Sequence, residues 1–154
     1  MTDEMTPADH ARSIDEARQR LISFVRQCTD TDWRAAPVDG DPRPVGVIAD
    51  HVAHSYEYLG GWISDLVAGK PVDVNAEVVD DLNAGHAGGA GMLTPAEVVG
   101  HLGSSGDALI ALISGLESAK LDLDGGRVRR FAQVAARHAD NHRTEIEVAL
   151  ATAG

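Results

Sequence analysis

The sequence predicts an all-α protein, a bundle of four long helices around one core. Four segments place apolar residues at steps of three and four, and none alternates as a half-buried strand would. The links between them are rich in Pro, Gly and Asp, and long helices joined by such links pack most simply as a four-helix bundle. The 154 residues, 44% hydrophobic and 24% charged, suit one globular domain over residues 1–154, and no internal repeat divides it.

The first helix is expected from about Thr6 to Thr29. Thr6-Pro7-Ala8-Asp9 supplies an N-cap, a proline at the first helical position and an acid in the first turn. Ala11, Ile14, Ala17, Leu21, Phe24, Val25 and Cys28 form its apolar face. Residues 30–44 contain three prolines and several aspartates and read as a loop. The second helix should run from Pro44-Val45 to Val67, stopped by Gly69-Lys70-Pro71. A short helix around Ala76–Ala84 should end at the glycine-rich run that follows. Thr94-Pro95-Ala96-Glu97 is a capping box with proline at its first helical position, and the third long helix extends from it to about Glu117. Leu121 to Gly126 reads as a turn, and the fourth helix as about Arg127 to Leu150.

Composition excludes several functions. Asp+Glu total 24 against Lys+Arg 13, a net charge of -11, which offers no footprint for a polyphosphate backbone or an anionic membrane. The single Cys28 rules out an internal disulfide and a cysteine-based zinc finger, and on an apolar face it reads as an inert core thiol. No basic segment followed by an apolar run opens the chain, and no apolar stretch approaches the ~20 residues that cross a bilayer. A soluble, cytoplasmic protein is therefore expected.

Seven histidines stand out in so short a chain. In the second helix Ile48, Val52, Leu59, Ile63 and Leu66 define an apolar stripe. At 100° per residue His51 lies roughly 60–70° from its centre, and His54 roughly 130° away, toward water or a neighbour. In the fourth helix His138 and His142 are one turn apart on one face, within about 50° of the stripe of Val128, Phe131, Ala135, Ile146 and Ala149. Two imidazoles so placed can converge on one cation, and His51 is the best third ligand. An exposed His-x3-His pair also arises by chance. Burial decides between the two readings, because each unpaired imidazole in an Ala/Val/Leu core costs roughly 1–3 kcal/mol that a shared cation removes. His10 reads as solvated, His86 as a residue of the glycine-rich linker with a pocket lid as its other reading, His101 as structural or exposed, and His54 as an alternative fourth ligand.

The segment Val45-Gly46-Val47-Ile48-Ala49-Asp50-His51-Val52-Ala53-His54 resembles the second-helix motif of the DinB-like (DNA-damage-inducible) superfamily. Arg137-His138-Ala139-Asp140-Asn141-His142-Arg143-Thr144-Glu145-Ile146 resembles its C-terminal H-x3-H-R-x-x-I motif. Asp81 to Ala84 and Leu93 to Glu97 resemble the linker and third-helix start of many actinobacterial-type members. Where members often carry Trp-Ser or Trp-Thr before the second helix, this chain has Arg43-Pro44, a departure that bears on the pocket wall.

The resemblance implies an up-down-down-up four-helix bundle, often a homodimer, with a divalent metal (zinc, nickel or iron) on His51, His138 and His142. It also connects the chain to mycothiol-, bacillithiol- or glutathione-dependent transferases and maleylpyruvate isomerases. In these a metal holds the cosubstrate sulfur as thiolate, the attacking form. The leading expectation is a thiol S-transferase of the mycothiol type acting on a small electrophile. The alternatives are a hydrolase working through metal-bound hydroxide and a non-enzymatic metal- or small-molecule-binding protein. Eleven arginines against two lysines, Lys70 and Lys120, fit a high-GC genome, where mycothiol is the natural thiol. Arg143 is a candidate partner for a carboxylate of the thiol or substrate; its other reading is an i,i+4 partner of Glu147. Glu145 is a candidate acceptor behind a ligand histidine, otherwise a surface acid. Asn83 is a candidate to face the pocket from the short helix.

Overall fold

Two capping boxes start the bundle. In α1 (Pro7–Gln27) the Thr6 hydroxyl accepts from the Asp9 amide and the Asp9 carboxylate accepts from Thr6 N–H. In α5 (Pro95–Ser114) Thr94 and Glu97 make the same exchange. Each box satisfies amides that the first helical turn leaves unpaired, and each proline occupies a position where no N–H is needed. The other long helices are α3 (Val45–Val67) and α6 (Leu123–Ala153). The computed structural model describes residues 4–89 and 93–153, and no strand occurs among them.

Cross-helix contacts fix the directions. Arg129, early in α6, donates to the Met5 carbonyl just before α1, and Arg20, late in α1, holds Asp140, late in α6, with two hydrogen bonds of 2.9 and 2.7 Å. These two helices are parallel. The Trp62 ring, late in α3, meets Phe131, early in α6, at 5.6 Å, so α3 runs against α6. Asp50 bonds His101 near the start of α5, and Gly60 faces Leu109 farther along, so α3 and α5 are parallel. The order is up-down-down-up, with α1 and α3 on a diagonal and α5 and α6 each packed against both. Ile14, Leu21, Ile48, Leu59, Ile63, Leu102, Leu109, Ile113 and Ile146 fill the centre. No single described helix is long and apolar enough to cross a membrane.

Three stretches depart from the sequence reading. Residues 30–44 are not all loop: α2 (Asp30–Arg34) is a helical turn capped by Thr29 on the Asp32 amide. Its Trp33 is buried, donates through Nε1 to the Leu93 carbonyl at 2.8 Å, and lies over Gly46, where a Cβ would come within 2.7 Å of the indole. Local capping and one buried indole outweigh the prolines downstream. The short helix α4 (Ala76–Gly89) runs five residues beyond its expected end at Ala84, through Gly85 and Gly88, because His86 is tied into the bundle. The end of the glycine run, Ala90 and Gly91, lies outside the described residues. The helix α5 stops at Ser114, short of Glu117, and a 3-10 turn (Ser118–Asp122) follows. The turn expected before the fourth helix is present: Asp124, Gly125 and Gly126 take left-handed φ of 53°, 66° and 83°, and regular helix begins after them.

Candidate metal centre

Every residue from Val45 to Ala53 is buried. An ordinary amphipathic helix hides one stripe, but this half of α3 is enclosed by α2 and α4 as well as by α5 and α6. Enclosure brings two adjacent polar residues, Asp50 and His51, inside the fold, and a different cluster gathers around each.

His51 is 2% exposed. It meets His138 and His142, which project from α6 one turn apart, as the four-residue spacing required. The ring centroids are 4.8 Å apart for His51 and His138, 5.2 Å for His51 and His142, and 4.6 Å for His138 and His142. One nitrogen from each ring lies within 4.8 Å of the others. The Nε2 atoms of His51 and His138 are 2.8 Å apart. Burial and the neighbouring imidazoles push the pKa of His51 down to about 2; burial, His142 and Arg43 push that of His138 down to about 4. His142 is lowered too, by burial first, with Glu145 opposing. Three neutral imidazoles with converging ring nitrogens form the donor set that divalent zinc, nickel and iron accept, once the proton shared between Nε2 of His51 and Nε2 of His138 moves to the other nitrogen of its ring.

The residues fit such an ion with a small adjustment. Zn–N bonds of about 2.0–2.1 Å in a tetrahedron set nitrogens about 3.3 Å apart, so His51 and His138 part by about half an ångström and His142, within 4.8 Å of both, closes toward them. Ligand imidazoles usually donate their second N–H to an acceptor. Here Nδ1 of His51 is buried without a partner, and Glu145 Oε1 stands 3.7 Å from Nδ1 of His142, an ion-pair distance too long for a hydrogen bond.

Asp50 builds the second cluster, which the sequence reading missed. Its Oδ2 accepts from Nε2 of His86 at 2.7 Å and its Oδ1 from Nδ1 of His101 at 2.7 Å. His101 also donates through Nε2 to Glu57 at 2.5 Å. With a carboxylate on each ring nitrogen, His101 has its pKa raised although burial works against it. Asp50 is lowered although burial opposes, because two imidazoles hydrogen-bond its charged form. His86 stacks on His54 at 5.1 Å and lies 6.1 Å from the His51 ring. An aspartate inside an apolar helical run, directly before a histidine, was the available signal.

The remaining expectations fall as follows. His54 faces α4 through His86 and stands outside the three-ring group. His86 belongs to a helix rather than to a linker, and His101 is structural, as expected. His10 is not solvated: it is 1% exposed, with Nε2 unpaired and its pKa lowered by burial. Cys28 is half-buried and its thiol is pushed up to about 11, chiefly by burial, which leaves it protonated and inert. Arg143 pairs with Asp140 at 3.3 Å and with Glu147 at 3.1 Å. Asn83 is half-buried on α4, with Oδ1 buried and unpaired. Arg43, in the position of the motif departure, is gripped by Asp41 through three hydrogen bonds of 2.9–3.3 Å between the side chains.

A family model described as the DinB superfamily matches residues 13–146. Among curated proteins no relative matches. A solved structure titled Sibling Lethal Factor Precursor - DfsB superposes with a TM-score of 0.70, covering 94% of this chain and 95% of that one at 17% identity. At that identity the likeness concerns the fold.

Proposed function

The chain belongs to the DinB superfamily, and on that premise we propose that it binds a divalent metal at His51, His138 and His142 and works as a thiol-dependent S-transferase on a small electrophile. The observation that carries the metal reading is the convergence of three imidazoles from two helices, held neutral by burial with no carboxylate at hydrogen-bond distance. A buried cluster of this kind costs free energy unless something accepts its lone pairs.

A bound divalent ion would supply Lewis acidity and keep a thiol sulfur in its thiolate form. The chain's own contribution is positional. The helix α3 presents His51 from a wall buried on all sides, so its ring has no freedom to swing away. The helix α6 presents the other two rings one turn apart on one face, 4.6 Å between centroids. Asp41 holds the Arg43 guanidinium, whose charge presses on all three rings and favours an anionic guest.

Protein purified without chelator is to be assayed for metal, then incubated with mycothiol or bacillithiol and a bimane-type electrophile, with and without chelator. Loss of free thiol that depends on the metal supports the proposal. Ester or amide turnover without thiol makes the protein a hydrolase. Tight ligand retention without turnover makes it a binding protein. Protein that carries no metal and takes up no added zinc overturns the reading of the three histidines.

A further inference from the structure

The helix α4 is built unlike its neighbours. None of its 14 residues is buried as a whole, whereas α1, α3, α5 and α6 all contribute to the core. It carries Gly85, Gly88 and Gly89 in its last five residues, where each glycine weakens a helix relative to alanine. It packs against α3, and the side chain of its His86 is only 8% exposed. That ring has three neighbours, all on α3. Nε2 donates to Asp50, the face stacks on His54, and the ring lies tilted to His51 at 6.1 Å between centroids. The other nitrogen, Nδ1, is buried and unpaired.

We propose that α4 is a lid over the three-histidine centre, and that the His86–Asp50 hydrogen bond is its latch. The proposal deepens the metal reading and rests on it for what lies beneath the lid. Elements with little apolar burial open at low free energy, and the apolar residues of α4, Val78, Val79, Leu82 and Ala87, are at most half-buried. Opening is loss of helix at the glycine-bearing end, which withdraws His86 from Asp50 and uncovers the side of His51 that α4 covers. The latched state leaves Nδ1 of His86 without a partner, since Asp50 already takes the proton on Nε2. A guest offering a hydrogen-bond donor, such as a thiol ligand's amide or hydroxyl, supplies it and holds the lid shut.

Hydrogen exchange on the metal-free protein tests the latch. Peptides from α4 are expected to exchange at least about tenfold faster than those from α3 and α5. His86→Phe, which keeps an aromatic ring but no hydrogen bond, should speed α4 about tenfold more and leave α1 and α5 unchanged. Gly85→Ala with Gly88→Ala, where no atom crowds either new Cβ, should slow α4 several-fold. Zinc kinetics test the gate. In His86→Phe, uptake and chelator-driven release should both rise about tenfold while Kd stays within about threefold, because a lid changes access more than affinity. Unchanged α4 exchange in both variants overturns the latch, and the alanine pair decides this if His86→Phe does not fold. A Kd weakened more than about tenfold at an unchanged uptake rate overturns the gate, since His86 then supports the ligands instead. Wild-type protein that takes up no zinc refutes the metal reading, and the exchange arm still judges the latch.

Discussion

His51 and Asp50 are neighbours in one buried helix, yet each organises a different kind of histidine cluster. Around His51, three rings meet with no acid at hydrogen-bond distance, and burial drives all three toward the neutral form. Around Asp50, two imidazoles meet carboxylates, and His101, with one on each nitrogen, is driven toward the charged form. The residue type is the same and the location nearly so. What differs is the counter-charge. A buried imidazole without one keeps its lone pair, as a metal requires, whereas one with an acid on either side becomes half of an ion pair and a fastener between helices.

The sharpest break of this contrast is at the ligands. His142→Ala should weaken zinc binding at least about 100-fold, since even losing a group behind a ligand costs 10–100-fold, whereas His54→Ala should stay within about threefold. Competition with a chromogenic chelator measures both. Equal retention by the two variants would mean that the three-ring cluster is not the site.

Proton linkage sharpens the contrast in the metal-free protein. Unfolded histidine titrates near 6.5, and His51, His138 and His142 have folded values below it, about 2 and about 4 for the first two. Between those limits the unfolded chain binds more protons, so these groups stabilise the fold fully above about pH 6.5 and lose that contribution as the pH falls toward their folded values. His101 works in reverse: its folded value is raised, so its contribution is complete below about 6.5 and fades as the pH rises through the folded value. The lowered histidines outnumber it, with His10 and His54 shifted in the same sense as the three. The urea midpoint of the metal-free protein should therefore fall as the pH drops from 7 to 4, and less steeply in His51→Gln. A midpoint that rises on acidification would show that the three rings are not held neutral by the fold.

The two clusters were unequally legible in the sequence, for a physical reason. His51, His138 and His142 were found because helical period alone puts a side chain on a face, and apolar stripes say which face is inward. The same logic places His10 inward, four residues before Ile14 and seven before Ala17 on the buried stripe, and its 1% exposure follows from that register. Asp50, His86 and His101 come from three helices, and period says nothing about which helices meet. The extension of α4 was hidden for the same cause: glycine propensity argues against it, and a contact 36 residues away in sequence overrides the propensity. The N-cap at Thr6 and the capping box at Thr94 are legible because each is complete within four residues; the box that Asp9 closes at Thr6 goes beyond the sequence reading.

Arg143 gives the smallest effect and tests where the His51 cluster ends. It follows a ligand directly in sequence, which made it a candidate to read the substrate, but its guanidinium lies between Asp140 and Glu147. Asp140 in turn is held by Arg20 from α1, so the arginine closes a surface chain that joins α1 to α6. Exposed pairs of this kind are worth about 0–1 kcal/mol, and truncation leaves Asp140 its stronger partner. Arg143→Ala should cost about 0.5 kcal/mol in urea unfolding and leave zinc affinity within about twofold. If thiol affinity falls about tenfold in this variant at unchanged zinc affinity, about 1.4 kcal/mol, the guanidinium exchanges its acid partners for a ligand carboxylate, and the working site extends from the three rings to the rim of α6.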